Sequence, residues 1–359
     1  MQNSLHIYGT LLSQLRKWLP EERITRLRNL AWLMTGLFLA RSVHLSHIAH
    51  KLPLQGQVVS LTNRLRRFLD NPRVDVGHYY QPIAKQLLTL FSGQRLILLI
   101  DCTALGFNSQ LMVVAIAYRR RALPLIWSVH RSKKGMISTA AQIALLRKLE
   151  PLIPRETEVW VVGDAGFGRA GLMRWLSRRR WHYCLRVNSA YHYYRQGSGW
   201  APVATTPIQE GETLYLGWVR WTKTENFGWV QLVAHWEEGK DEPWFLVTDR
   251  PADRRTIRMY KKRMWVEELF GDLKGHGFDL EATHLQDFGR LSRLVLAAMI
   301  VYVWLIALGS RVIKWGLRYL VDRRDQRDKS LFRIGWDWIE RCVALDKQIP
   351  LTFRPVLGK

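Results

Sequence analysis

Leu96-Ile97-Leu98-Leu99-Ile100-Asp101 and Val159-Trp160-Val161-Val162-Gly163-Asp164 decide how this chain is read. Each is a short apolar run that ends on an aspartate, and runs of this length and composition read as strands buried on both faces. Both carboxylates therefore emerge at the carboxyl ends of core strands. Asp101 is the only acid between Asp75 and Glu150, and no acid follows Asp164 until Glu210. Burying an ionised carboxylate costs several kcal/mol unless a cation or hydrogen-bond donors compensate it. Taken singly, either aspartate reads as a turn former or a helix cap. As a pair, in surroundings otherwise supplied with Arg and Lys, they point to a shared metal ion.

Outward from these runs, Leu111 to Tyr118 and Leu123 to Val129 read as two more apolar strands, separated by short turns into an antiparallel meander. Ser138 to Leu149 reads as a helix, Glu158 to Val162 as a buried strand and Arg169 to Arg180 as a further helix. Three strands, helix, strand, helix is an α/β arrangement with a mixed sheet. From about Trp181 to Arg250 the pattern breaks into short alternating strands with turn signals such as Gln196-Gly197-Ser198-Gly199 and Glu238-Gly239-Lys240-Asp241. This β-rich insertion holds six tryptophans: Trp200, Trp218, Trp221, Trp229, Trp236 and Trp244. Thr256 to Lys274 then reads as one long charged helix, and Leu291 to Leu308 as an apolar one.

Residues 1–92 read as a small helical bundle carrying 12 basic and 4 acidic residues. Within it, Ser42 to Leu69 looks like two helices joined by a turn around Pro53 to Gly56, the second bearing Arg64, Arg66 and Arg67. A helix-turn-helix would lay such a helix in a DNA major groove, and an ordinary solvated helix gives the same letters. Residues 311–359 form a basic, amphipathic C-terminal helical region to which the sequence assigns no role.

The 359 residues allow two or three domains with a sizeable core. Lys and Arg number 54 against 30 acids, a formal charge of +24, which calls for a polyanion: nucleic acid or an anionic membrane. The longest uncharged apolar run, Leu294 to Ser310, falls short of the ~20 residues a membrane-spanning helix needs and reads as a core helix. Met1 to Leu15 lacks the pattern of an export signal. The three cysteines are scattered and fit a reducing cytoplasm. No CxxC, HExxH or Walker-type loop occurs, which sets aside zinc hydrolases and nucleotide triphosphatases.

A third carboxylate, Glu267, lies in the charged helix. Seven residues are nearly two turns, so Tyr260, Glu267 and Lys274 are expected in one stripe, with Arg263 one turn before Glu267. Glu268 is turned by ~100° from that stripe. Ordinary salt bridging on a solvated helix would account for the same charges.

Tyr260, Arg263, Glu267 and Lys274 together reproduce the Y-R-E-K signature, and with Asp101 and Asp164 upstream the chain resembles the insertion-sequence-four family of DDE transposases over residues 93–310. The resemblance implies a ribonuclease-H-like mixed-sheet catalytic core (93–310) interrupted by the β-rich insertion (181–254), behind an N-terminal helical DNA-binding domain (1–92). It implies that Asp101, Asp164 and Glu267 are both catalytic residues and metal ligands, holding two ions per active site. Oxygen ligands of this kind suit Mg²⁺ or Mn²⁺. Tyr260, Arg263 and Lys274 are implied contacts to transposon-end DNA. The implied activity is cleavage of transposon ends and strand transfer to target DNA through a hairpin intermediate, by a homodimer synapsed on double-stranded DNA. The expected setting is cytoplasmic and nucleoid-associated in a bacterium, with neither a membrane nor a nucleotide cofactor expected. One tryptophan of the insertion would stack an extruded base, most of the others being core residues of the β module.

Three other readings compete. Gly166-Phe167-Gly168-Arg169-Ala170-Gly171 fits a dinucleotide-binding GxGxxG after a strand, but the acid expected about twenty residues on to hold a ribose is missing. Its glycines then serve a tight turn beside Asp164. A catalytically inactive, transposase-derived DNA-binding protein would have lost one of the three acids. A structure-specific nuclease on the same fold would cut without joining.

Overall fold

The computed structural model describes residues 2–131 and 137–357. Five helices come first: α1 (Gln2–Trp18), α2 (Ile24–Ala40), α3 (Leu45–Lys51), α4 (Val58–Asp70) and α5 (Val76–Thr89). The sheet region follows with β1 (Arg95–Ala104), β2 (Ser109–Tyr118), β3 (Arg121–Arg131), α6 (Thr139–Leu149), β4 (Glu158–Gly163), α7 (Ala170–Arg178) and β5 (His182–Arg186). Next are β6 (His192–Arg195), β7 (Gly199–Pro202), β8 (Thr213–Trp221), β9 (Gly228–His235) and β10 (Trp244–Thr248). Four helices close the chain: α8 (Arg254–Lys261), α9 (Met264–Leu273), α10 (Phe288–Lys314) and α11 (Leu331–Ala344). Mixed α/β architecture follows from the alternation of apolar runs and helical periods.

All ten strands belong to one mixed sheet in the order β3-β2-β1-β4-β5-β10-β9-β8-β6-β7. The meander β1-β2-β3 is antiparallel, while β4 runs parallel to β1 and β5 parallel to β4. Here the structure departs from the expected interruption after Trp181. β5 is hydrogen-bonded directly to β4, and β10, β9, β8, β6 and β7 extend the same sheet edge to edge. The departure has a local cause: β5 is five residues of His-Tyr-Cys-Leu-Arg, too short and too polar at its ends to read as a core strand.

A second difference lies in the charged helix, which is two helices. At the break, the Lys262, Arg263, Trp265 and Val266 N–H groups donate to carbonyls three residues back (3.1, 2.8, 2.9 and 3.0 Å). That tighter repeat shifts the register between α8 and α9, so Tyr260 does not continue the stripe that Glu267 and Lys274 begin on α9. Tyr260 is buried, whereas the Glu267 side chain is 46% exposed.

α10 runs beyond the expected apolar run at both ends, with Arg290 and Arg293 in its first turns and Arg311 and Lys314 in its last. Among the described residues it is the one helix long and apolar enough to cross a membrane, yet 89% of its apolar window is buried inside the protein, as in a core helix. It packs against α2, α4, α5, β3 and most extensively α11. Two glycines allow that last contact: a Cβ on Gly309 would lie 2.0 Å from the Leu331 carbonyl oxygen, and one on Gly335 2.0 Å from that of Leu305. Backbone cannot yield as a side chain can. Gly335→Ala is expected to lower the unfolding free energy by about 3 kcal/mol, read by urea denaturation. A change under about 0.5 kcal/mol would mean that the helices slide freely.

Candidate acidic site

β1 and β4 set the first two carboxylates side by side. Ile100 is the register partner of Gly163, so Asp101 and Asp164, the next residue on each strand, leave the same part of the sheet together. Gly163 makes that pairing tight, since a Cβ there would sit 2.9 Å from Ile100 Cγ2. Asp101 is 6% exposed and its Oδ1 accepts the Cys102 N–H at 2.8 Å. Burial pushes its carboxyl up to about 6, with Arg263 opposing and the charge of Asp164 adding to the rise.

Asp164 stands at the tight turn that the glycine-rich stretch predicts. Its Oδ1 accepts the Gly166 N–H at 2.9 Å. Gly168 passes so close to β5 that a Cβ would lie 2.1 Å from the Arg186 carbonyl oxygen, which accounts for a glycine without any dinucleotide. Gln142 of α6 fixes the turn from the other side, its Nε2 donating to the carbonyls of Gly166 and Ile137, both at 3.0 Å. Sequence reasoning passed over Gln142, because nothing in a helical glutamine announces a contact across 24 residues. Beside the turn opens a cavity of about 590 Å³ lined by Gly166, Arg169, Asn188, Tyr191, His192 and Lys223. Asn188, Tyr191, His192 and Lys223 carry no signal in the sequence either.

Glu267 reaches the pair through one guanidinium. Arg263 donates from Nη1 to Asp101 Oδ2 at 2.8 Å and from Nη2 to Glu267 Oε1 at 2.7 Å. Burial works against the Arg263 charge, but Asp101, Tyr260 and Glu267 outweigh it and its pKa rises. Glu268 turns away and pairs with Arg121 at 2.6 Å. Between the two adjacent glutamates, Glu267 is the one linked to Asp101.

Tyr260 is buried, its ring set edge-on to Trp244 at 5.1 Å between centroids. Burial pushes its hydroxyl up to about 12, and Arg263 and Asp164 are both close enough for their charges to act on it. Lys274 lies apart from this arrangement: it ends α9, and its Nζ pairs with Glu281 at 2.5 Å. Among the described residues, no three acidic, histidine or cysteine side chains are gathered as a ready metal site. Arg263 stands between Asp101 and Glu267 instead. The donor chemistry still fits a hard cation, since Asp101 is buried, acidic and adjacent to a second carboxylate.

In the bundle, the α4 arginines are not uniformly presented. Arg64 Nε donates to Asn29 Oδ1 of α2 at 2.7 Å, and Arg66 Nη1 to Asn63 Oδ1 at 2.9 Å. Of the six tryptophans between 200 and 244, Trp221 is fully buried, while Trp218 and Trp229 are 47% and 55% exposed on the β8–β9 hairpin.

Fold and site together define an acidic centre on a mixed sheet in a strongly basic molecule. The chain belongs to the transposase DDE domain family, whose sequence model matches residues 106–304. That span takes in Asp164, Tyr260, Arg263, Glu267 and Lys274 and begins just after Asp101. No curated protein matches the chain. Among solved structures, the cryo-EM structure of the piggyBac transposase synaptic complex with hairpin DNA is similar at a TM-score of 0.42 and 9% identity, covering 94% of this chain and 78% of that one.

Proposed function

We propose that the chain is a DNA transposase of the insertion-sequence-four kind, in which Asp101, Asp164 and Glu267 serve metal-dependent cleavage of transposon ends and strand transfer to a target. The observation that carries this reading is the pairing of two chain-distant acids, Asp101 and Asp164, at the ends of adjacent parallel strands, with Arg263 bridging Asp101 to Glu267. The order β3-β2-β1-β4-β5, three strands antiparallel and two parallel, supports a ribonuclease-H-like core. Two Mg²⁺ or Mn²⁺ ions, when bound, would activate a nucleophile and stabilise the leaving alkoxide. Asp101 and Asp164 would hold them first, being neighbours already.

Arg263 gives the site a condition. While its guanidinium neutralises Asp101 and Glu267, those acids are committed, and a DNA phosphate offers Arg263 a competing bidentate partner. DNA binding and release of the carboxylates would then be coupled. Trp218 and Trp229, the exposed pair, are the candidates for stacking an extruded base if excision passes through a hairpin. Synapsis by a homodimer, and the division into a DNA-binding bundle (1–92), core (93–310) and basic tail (311–359), belong to the same reading. Lys274 enters it only if DNA draws it away from Glu281.

The test is incubation of purified protein with its element-end duplex and Mg²⁺, scoring cleavage and then joining to a second duplex. Cleavage followed by joining is expected; cleavage without joining would leave a structure-specific nuclease, and neither would leave a DNA-binding relic. Arg263→Ala is expected to weaken end binding and to make its salt dependence shallower by about one neutralised phosphate. An unchanged slope would mean that Arg263 does not touch phosphate.

A further inference from the structure

The β2–β3 hairpin turns on two residues, Arg119 and Arg120, whose φ angles are +44° and +63°. A two-residue hairpin with both central residues at positive φ is the type I′ turn, which favours Asn-Gly. Arginine in the left-handed region costs about 1 kcal/mol per residue. Something other than chain reversal accounts for the choice. Arg119, Arg120 and Arg121 line a cavity of about 410 Å³ together with Arg327, Lys329 and Ser330, which come from the segment leading into α11.

Most of the acids here are already taken. Arg121 is shared by Glu268 at 2.6 Å and Asp272 at 3.2 Å, Lys329 pairs with Asp337 at 2.7 Å, and Asp328 pairs with Arg323 at 2.9 Å. Among the described residues, Arg119, Arg120 and Arg327 take part in no ion pair. Burial lowers the Arg327 pKa, and the charges of Arg119, Arg120 and Arg121 lower it further, with only Asp322 opposing. Ser330 is the N-cap of α11, so the positive end of a 14-residue helix lines the same cavity. Like charges converging on a cavity at a helix N-terminus are arranged for an anion.

We propose that this cavity is a second phosphate-binding site, separate from the carboxylates, that takes a backbone phosphate of DNA. Guanidinium groups suit a phosphodiester because they donate to it in pairs. The helix α9 connects the two sites: Glu267 is linked through Arg263 to Asp101, and Glu268, ~100° further round, lines this cavity with Arg121. A duplex lying on the acidic site and continuing over α9 would meet the hairpin tip. This assignment rests on the DNA-binding reading above and gives the C-terminal region a role in it.

The experiment measures binding of the full chain to a random-sequence 40-base-pair duplex by fluorescence anisotropy over a NaCl series. Two variants are compared with wild type. The triple Arg119→Gln, Arg120→Gln, Arg327→Gln removes the unpaired charges. The double Arg119→Asn, Arg120→Gly installs the residues the turn prefers and should melt no lower than wild type. Both are expected to bind more weakly, with the slope of log affinity against log salt shallower by about 1 for each phosphate that the variant no longer neutralises. Wild-type slopes in a folded double variant would overturn the proposal. Wild type that binds no duplex at any salt would instead overturn the DNA reading. Calorimetry with inorganic phosphate separates the sources: phosphate binding abolished in the triple variant, with DNA binding unchanged, would make the cavity a free-anion site and sink the DNA assignment.

Discussion

Asp101→Asn, Asp164→Asn and Glu267→Gln are each expected to slow Mg²⁺-dependent strand cleavage by on the order of a thousandfold or more, while Glu268→Gln stays within about threefold of wild type. The magnitude follows from the chemistry: charge stabilisation by a bound cation contributes several kcal/mol to a phosphodiester transition state, and each 1.36 kcal/mol is a factor of ten. The discrimination between the glutamates follows from the structure, in which Arg263 links Glu267 to Asp101 while Glu268 pairs with Arg121. Single-turnover nicking of an end-labelled duplex reads all four. Retained cleavage in any of the first three removes that residue from the site, and loss confined to Glu268→Gln would transfer the role by one residue. Amide replacements keep volume and polarity, so a folding defect is not expected to mimic the result.

The parts of this fold that the sequence announced are those where an apolar run and its flanks agree. β1 through α7 are such elements, each a run of one period ended by a turn or a cap. What stayed hidden depends on contacts between distant residues. β5 is a strand only because β4 and β10 lie on either side of it; its own letters, two of them charged or titratable at the ends, give no reason to pair. The break between α8 and α9 carries no Gly or Pro, only Lys262 and Arg263, so nothing local marks it. The positions of Asp101 and Asp164 were legible because acids are scarce around them. The Arg263 bridge was half legible: its bond to Glu267 spans four residues, but its bond to Asp101 spans 162. Placing Tyr260 in one stripe with Glu267 assumed one uninterrupted helix, whereas Lys274, at the end of the same helix as Glu267, is engaged by Glu281.

Asp272→Asn is expected to stabilise the protein above neutral pH and to leave it unchanged in acid. The Asp272 side chain is 5% exposed, and burial pushes its carboxyl up to about 7, with Arg121 opposing and Glu268 adding to the rise. Arg121 Nε lies 3.2 Å from Asp272 Oδ2, an ion-pair distance, yet neither atom makes an aligned hydrogen bond, so the cation compensates only part of the desolvation. Unfolded, an aspartate releases its proton near pH ~4; folded, this one keeps it to about 7. Between those values the native state binds the extra proton, so stability falls as pH rises through the window and the full penalty is present above it. Asparagine stays neutral throughout. Urea unfolding at pH 8 should therefore favour Asp272→Asn by about 2 to 4 kcal/mol, and at pH 4 the two proteins should coincide. A gain that is the same at both values would trace to packing and not to the proton. The acid that costs this stability also holds Arg121, which in turn engages Glu268. Arg263, on the preceding turn, pairs instead with Glu267 and Asp101, so the two adjacent glutamates of α9 are held by two different arginines.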